Sequence, residues 1–242
     1  LTSALVDSLG WRPAARVLAL VLIGVGAPAA VLMARTVSGH VGPVSQESRM
    51  ATLRRLMRDR RFVSYTLSVA LMFLCVQAIL LHRIALFEAG GFAVATAAAG
   101  AAVASLLSFP GRFTAPFMAR AWGGLRIQLV ALLFLAASAA VAIDGSETWQ
   151  LVVHFFVFGL AFGAMLPIRA SIMGEWYADE SFGQVMGSQW MVASVAGAVG
   201  PAVVGMVRDA TDGYGVPMVL VTAGLVVAAG LTVASARMPA SG

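Results

Sequence analysis

About seven apolar stretches, each near the length needed to cross a lipid bilayer, dictate what this chain can fold into. A helix rises about 1.5 Å per residue, so about 20 apolar residues span the roughly 30 Å of hydrocarbon, and somewhat more if tilted. The stretches lie at 14–34, 62–86, 92–115, 126–143, 150–173, 186–207 and 217–236. Phe62 to Leu81 contains no charged residue. The third stretch is rich in Ala and Gly, which lowers its hydropathy but lets helices approach closely. The expected fold class is therefore an all-α membrane protein with about seven transmembrane helices.

Composition supports this. The 242 residues are 60% hydrophobic and 11% charged, with a mean hydropathy of +0.89. A soluble domain carries about twice that share of charge, and this chain would expose too much apolar surface to water. The net charge of +5 comes from sixteen basic residues, all of them arginine. In a soluble protein that balance would suggest nucleic acid. Here most of the arginines fall in short loops between apolar runs, so membrane orientation explains them and no nucleic-acid partner is expected. Cys75 stands alone inside an apolar run, which excludes a disulfide framework and a cysteine metal site.

The loop after the first stretch holds Arg35, Arg49, Arg54, Arg55, Arg58, Arg60 and Arg61 against Glu47 and Asp59. Placing it inside puts twelve arginines on the inner side and Arg12, Arg16, Arg83 and Arg208 on the outer. That bias predicts a multi-pass protein of the cell membrane with a cytoplasmic C-terminus and an external start. An odd number of spans, a Leu at position 1 and no signal-peptide pattern predict a truncated chain. The expected division is residues 1–36 as the last helix of a truncated first half, 37–61 as a basic cytoplasmic linker, and 62–242 as a six-helix bundle.

The last six stretches fall into two sets of three. The second member of each set carries a Pro-Gly interruption, Pro110-Gly111 in one and Gly200-Pro201 in the other. Interrupted helices at matching places in two repeats point to a transporter's binding region, although Pro and Gly are also common in membrane helices. Ala193, Gly197, Pro201 and Gly205 recur every fourth residue and give one smooth helix face.

Several strings resemble one family. Gly10-Trp11-Arg12 looks like the entry to the sixth helix of major facilitator superfamily transporters, and Leu56-Met57-Arg58-Asp59-Arg60-Arg61-Phe62 resembles the lead-in to the seventh. Leu81-His82-Arg83, Ala89-Gly90-Gly91 and Pro110-Gly111-Arg112 are similar to the monocarboxylate-porter-like and oxalate/formate-antiporter-like branch. So are Phe182-Gly183-Gln184-Val185-Met186-Gly187 and Asp209-Ala210-Thr211-Asp212-Gly213-Tyr214. The resemblance covers nearly the whole chain, as helices six to twelve of a twelve-helix protein. It implies two six-helix bundles rocking around a central site, with the first bundle supplied by a missing N-terminal half or a partner chain. The family's loop after the eighth helix departs from pattern here: Gly123 fits, but Pro116 and Arg120 stand near the expected Gly and Asp.

Arg112 leads the candidates for binding a substrate. An arginine inside a membrane helix costs about 2.5–3.5 kcal/mol at the bilayer centre, and its planar fork suits a carboxylate. In the resembled branch the arginine at this place contacts an organic anion. Snorkelling to the interface is the competing role. The branch often carries an acid one turn earlier, where this chain has Ser108, and its antiporter-like members use a lysine in the eleventh helix, absent here. A dicarboxylate is thus poorly supported and a monocarboxylate stays open. Arg169, just after Pro167, would join Arg112 in an electropositive inner vestibule or serve as an anchor. His82 is a candidate for proton coupling, with an interfacial polar cap beside Arg83 as its competing role, and His154, four residues into its span, is a weaker candidate. Gln77 is an amide deep in hydrocarbon that needs a partner, and Gln189, before Trp190, would line a pore or pack. Glu175, Asp179 and Glu180 read as a solvated inner loop.

No nucleophile–base pair, phosphate loop or metal spacing appears, so neither an enzyme nor a resident cofactor is expected. The expected function is secondary active transport of a small solute, an organic anion or monocarboxylate by preference. Coupling would be to a proton or ion gradient, and the partners would be the lipid bilayer and the substrate. The alternatives are a seven-helix receptor or a small subunit of a membrane complex. A retinal photosensor is excluded, because a chain without lysine cannot form its Schiff base.

Overall fold

In a computed structural model the described residues are 10–36, 49–178 and 182–238. Eight helices and no strand occur among them: α1 (Trp11–Thr36), α2 (Arg49–Arg58), α3 (Arg60–Ala89), α4 (Val94–Trp122), α5 (Gly124–Val141), α6 (Thr148–Trp176), α7 (Phe182–Thr211) and α8 (Gly215–Arg237). All but α2 are long and apolar enough to cross a membrane, so the chain is an all-α, multi-pass membrane protein. Two compact units divide it, Leu1–Val44 and Ser45–Gly242. The first is represented by α1 alone, a 26-residue helix running through Pro28.

Within the second unit, α2 covers the end of the predicted linker; residues 37–48 of that linker lie outside the described residues, as do Asp179 and Glu180. Thr52 and Leu56, one turn apart, are buried, while Arg54, Arg55 and Arg58 are exposed. This amphipathic stripe lays α2 against α3 and α7. Asp59 stops α2 and starts α3 as an N-cap: its carboxylate accepts from the Arg61 backbone N–H at 2.8 Å. It also accepts from the Tyr177 hydroxyl at 2.7 Å, which ties the start of α3 to the end of α6. At the opposite end of the bundle, Gln150 caps α6 by accepting from the backbone N–H groups of Ser146 and Glu147.

Apart from α5, which keeps the predicted 18 residues, the spanning helices are longer than the apolar stretches predict, and α4 shows why. It was expected to end near residue 115 with a break at Pro110-Gly111, yet the helix continues through both Pro110 and Pro116 to Trp122. Likewise α7 runs unbroken through Gly200-Pro201. Each proline removes one backbone hydrogen bond without ending its helix, because the neighbouring helix holds the segment in line.

Packing divides the six helices into α3–α5 and α6–α8. The most extensive pairings are α4 with α6 and α3 with α7, followed by α5 with α6, α3 with α8, and α5 with α8. Exchanging α3 with α6, α4 with α7 and α5 with α8 maps this set onto itself. The two triplets therefore occupy equivalent places. Because each has three helices, the second runs inverted relative to the first. Matching close contacts fix the register. A Cβ on Gly111 of α4 would meet the Leu160 carbonyl of α6, and one on Gly200 of α7 would meet the Leu74 carbonyl of α3. The Pro-Gly pairs thus mark the points where these helices touch backbone to backbone.

Candidate functional site

Polar atoms buried in an apolar bundle have to be accounted for, since each one left unpaired costs about 1–3 kcal/mol. At the linker end of the bundle, where α3 begins, Arg169 carries two such atoms. Arg169 lies on α6, two residues after Pro167, and only 6% of it is exposed. Its guanidinium carbon sits 4.6 Å from the centre of the Trp190 ring on α7 and 5.9 Å from that of Phe73 on α3. Phe73 and Trp190 meet edge to face at 5.2 Å, so the cation lies on a built aromatic wall. Its Nε and Nη1 are buried without a hydrogen-bond partner, and among the described residues no carboxylate pairs with it. Asp59, the acid at the start of α3, is engaged by the Arg61 N–H and the Tyr177 hydroxyl.

Two more orphaned polar groups belong to this end. Tyr65, fully buried on α3, has an unpartnered hydroxyl and lies within electrostatic range of Arg169. Its ring stands edge-on to Trp176 at 5.3 Å, and the Arg61 guanidinium covers Trp176 at 3.7 Å. Gln189 precedes Trp190 on α7 and is 0% exposed, with neither amide atom hydrogen-bonded. Ala193 and Gly197 continue its buried face, and Gly197 packs against Phe73 and Gln77 of α3. A cation, a hydroxyl and an amide at one end of an apolar bundle, without an acid for the cation among the described residues, suit a small carboxylate.

The other predicted residues are placed differently. Arg112 is exposed on α4, its guanidinium 5.9 Å from the ring of Phe109 on the same helix. Its neighbour Gly111, not Arg112, meets α6. Gln77 is exposed, with its stem beside Gly197. His82 has partners: Nε2 donates to the Pro201 carbonyl at 3.0 Å, which leaves Nδ1 to accept from the Tyr214 hydroxyl at 3.2 Å. It straps α3 to α7 and to the turn before α8, using the carbonyl of the helix-interior proline.

Near His82 the structure brings together Arg83 and His154, which the sequence alone does not connect. Arg83 is half-buried, 5.5 Å and 5.6 Å from the rings of Phe155 and Phe158 on α6, and its Nε has no partner. His154, 1% exposed, donates from Nδ1 to the Ser138 carbonyl at 2.9 Å; its Nε2 has no partner. A small cavity of about 10 Å³, enough for about one water, is lined by His82, Arg83 and His154 among apolar side chains of α3, α7 and α8. The available sequence signal was the aromatic cluster here, of which Phe155 and Phe158 supply the ring faces for Arg83 and flank His154 while Phe156 is exposed.

No protein-family model matches the chain, and no curated protein matches it in sequence.

Proposed function

We propose that this chain forms the substrate-handling bundle of a secondary active transporter for a small organic anion of the monocarboxylate class. It would work by alternating access across the cell membrane, with the C-terminus in the cytoplasm. The observation that carries this proposal is Arg169: a buried cation held on aromatic faces, with two unpartnered nitrogens and no carboxylate paired with it among the described residues. The substrate carboxylate would dock on the guanidinium, where a bidentate contact restores the missing hydrogen bonds. The Tyr65 hydroxyl and the Gln189 amide would fix its orientation. The inverted pairing of the two helix triplets supports a bundle that moves as one body against a second bundle, in the same polypeptide or another. Arg112, on the uncovered side of α4, would be a secondary cation on the anion's path.

Uptake of radiolabelled pyruvate into proteoliposomes carrying the natural polypeptide tests this. Wild-type protein should concentrate pyruvate, and Arg169→Gln should lower kcat/KM by about tenfold to a hundredfold, the worth of a hydrogen-bonded charge contact. Arg169→Lys should fall between the two, because a point charge cannot reproduce the planar fork. Uptake unchanged in Arg169→Gln would refute the role given to this residue.

A further inference from the structure

The repeat register links two arginines that lie far apart in sequence. Leu74 and Leu160 are equivalent, since each presents its carbonyl to the glycine of a Pro-Gly pair on the adjoining helix. They are eighty-six residues apart, and so are Arg83 and Arg169. The two arginines are thus counterparts, on α3 and α6, in triplets that run in opposite directions. Each lies about two turns from the end of its helix, Arg83 near the far end of the bundle and Arg169 near the linker end.

Their environments are alike in kind though not residue for residue, since the ring nearest Arg169 is Trp190 of α7 and Arg83 lies over rings of α6 alone. Arg83 of α3 lies against rings of α6, and Arg169 of α6 lies against a ring of α3. Both have a buried, unpartnered Nε. Neither is paired with a carboxylate among the described residues. Each has a buried polar neighbour without a full set of partners: Tyr65 for Arg169, and His154, through its Nε2, for Arg83.

We infer that Arg83, with His154, is a second binding station for the same small carboxylate, related to the Arg169 station by the inverted repeat and used from the opposite face of the membrane. Along α3, ten residues separate Phe73, which the Arg169 guanidinium approaches, from Arg83. At 1.5 Å per residue the stations are about 15 Å apart along the axis. That distance is too long for one small carboxylate to bridge and short enough for it to pass from one to the other. At the Arg83 station the carboxylate would accept from Nε. A hydroxyl or water carried with it would donate to His154 Nε2, whose ring has its N–H committed to the Ser138 carbonyl. The approach from the far end passes between α3, α7 and α8, where Val204, Met218 and Val221 line the cavity. In the inverted arrangement the access states exchange roles: the station nearer the open face receives the anion, and the other releases it.

This inference rests on the proposed transport activity, and face-resolved uptake separates the two. Pyruvate KM is measured in proteoliposomes of known orientation, from the far-end face and from the linker-end face. Arg83→Gln should raise KM from the far-end face by about tenfold and leave the linker-end value within about twofold; Arg169→Gln should raise the linker-end KM by a similar factor and lower kcat from both faces. His154→Gln should raise the far-end KM alone, by a few-fold, as a residue that positions the ligand and does not supply the charge. If Arg83→Gln loses its monodisperse profile, Arg83→Lys serves in its place, with a rise of about threefold confined to the same face. Wild-type vesicles that take up no pyruvate overturn the transport proposal and this inference with it. Wild-type uptake with equal KM changes from both faces, or with none for the Arg83 variants, overturns the second station and leaves the first standing.

Discussion

Replacing Arg169 with methionine separates a cation kept for a ligand from one kept for the fold. Methionine preserves an unbranched stem of similar length against Trp190 and Phe73, so the packing loss is small. The charge removed is expensive where it stands. Insertion of an arginine at the bilayer centre costs about 2.5–3.5 kcal/mol, and roughly half of that applies two helical turns from the end of α6. Against this, the variant loses a cation–π contact at 4.6 Å from Trp190 and a weaker one at 5.9 Å from Phe73, together worth about 1–2 kcal/mol. The two contributions nearly cancel, and stability should stay within about 1 kcal/mol of wild type. An arginine that formed half of a buried ion pair would behave otherwise, because removing it strands the acid and costs about 3–5 kcal/mol. Unfolding by SDS titration in mild detergent, followed by helical circular dichroism, measures the difference, with pyruvate uptake run in parallel. Unchanged stability with lost uptake is the expected pair of results. A loss of 3 kcal/mol or more would show that Arg169 has an acid partner in the protein and would refute the reasoning that leaves it for a ligand.

Three further outcomes follow from other contacts. In Gly159→Ala, the new methyl would lie 2.6 Å from the Ala104 carbonyl oxygen and 2.9 Å from Leu107 Cβ, so α4 and α6 must part by somewhat under 1 Å. The expected cost is about 1–3 kcal/mol in the same titration, and a neutral or stabilising result would refute the close packing of this pair. Asp59→Asn with Tyr177→Phe forms a double-mutant cycle across the 2.7 Å bond between them, with a coupling of about 1 kcal/mol expected and an additive cycle counting against it. Ser68→Ala removes a fully buried hydroxyl that bonds the Ala228 carbonyl at 2.7 Å and Thr232 at 2.8 Å. It should lower stability by about 1 kcal/mol, less than Gly159→Ala, and a larger loss would mean that the α3–α8 contact depends on more than this bond.

Much of the architecture was legible in the residues. Hydropathy at bilayer length identified the seven spanning helices and their order, because a spanning helix satisfies its own backbone and depends little on long-range context. Helix ends were less legible. The stretch at 92–115 became Val94–Trp122 because a proline weighs less when a neighbouring helix braces the backbone. The same local rule misplaced the breaks at Pro110-Gly111 and Gly200-Pro201, which are points of close helix contact along continuous helices.

The candidate site was legible only as a set of residue types. Sequence alone singled out Arg169, Gln189, Arg112, Gln77 and His82 as polar groups in apolar runs, since hydropathy marks any misfit. It could not say which of them have partners. Tertiary packing decided that: His82 is engaged by Pro201 and Tyr214, Arg112 is exposed, and Arg169 and Gln189 are buried with unpartnered atoms. Packing also brought in Tyr65 from a different helix, which no spacing along the chain encodes.

The sequence by itself determined that this chain spans a membrane about seven times and carries arginines where hydrocarbon resists them. Both follow from local composition, which each residue contributes independently of its distant neighbours. The two sets of three were already expected from the matching Pro and Gly positions, but how α3–α5 pack against α6–α8, and the register that makes Arg83 and Arg169 equivalent, were decided by the tertiary structure. Which helix lies against which depends on side-chain shapes meeting across long separations, and a glycine reads the same in sequence whether it faces lipid or another helix's carbonyl.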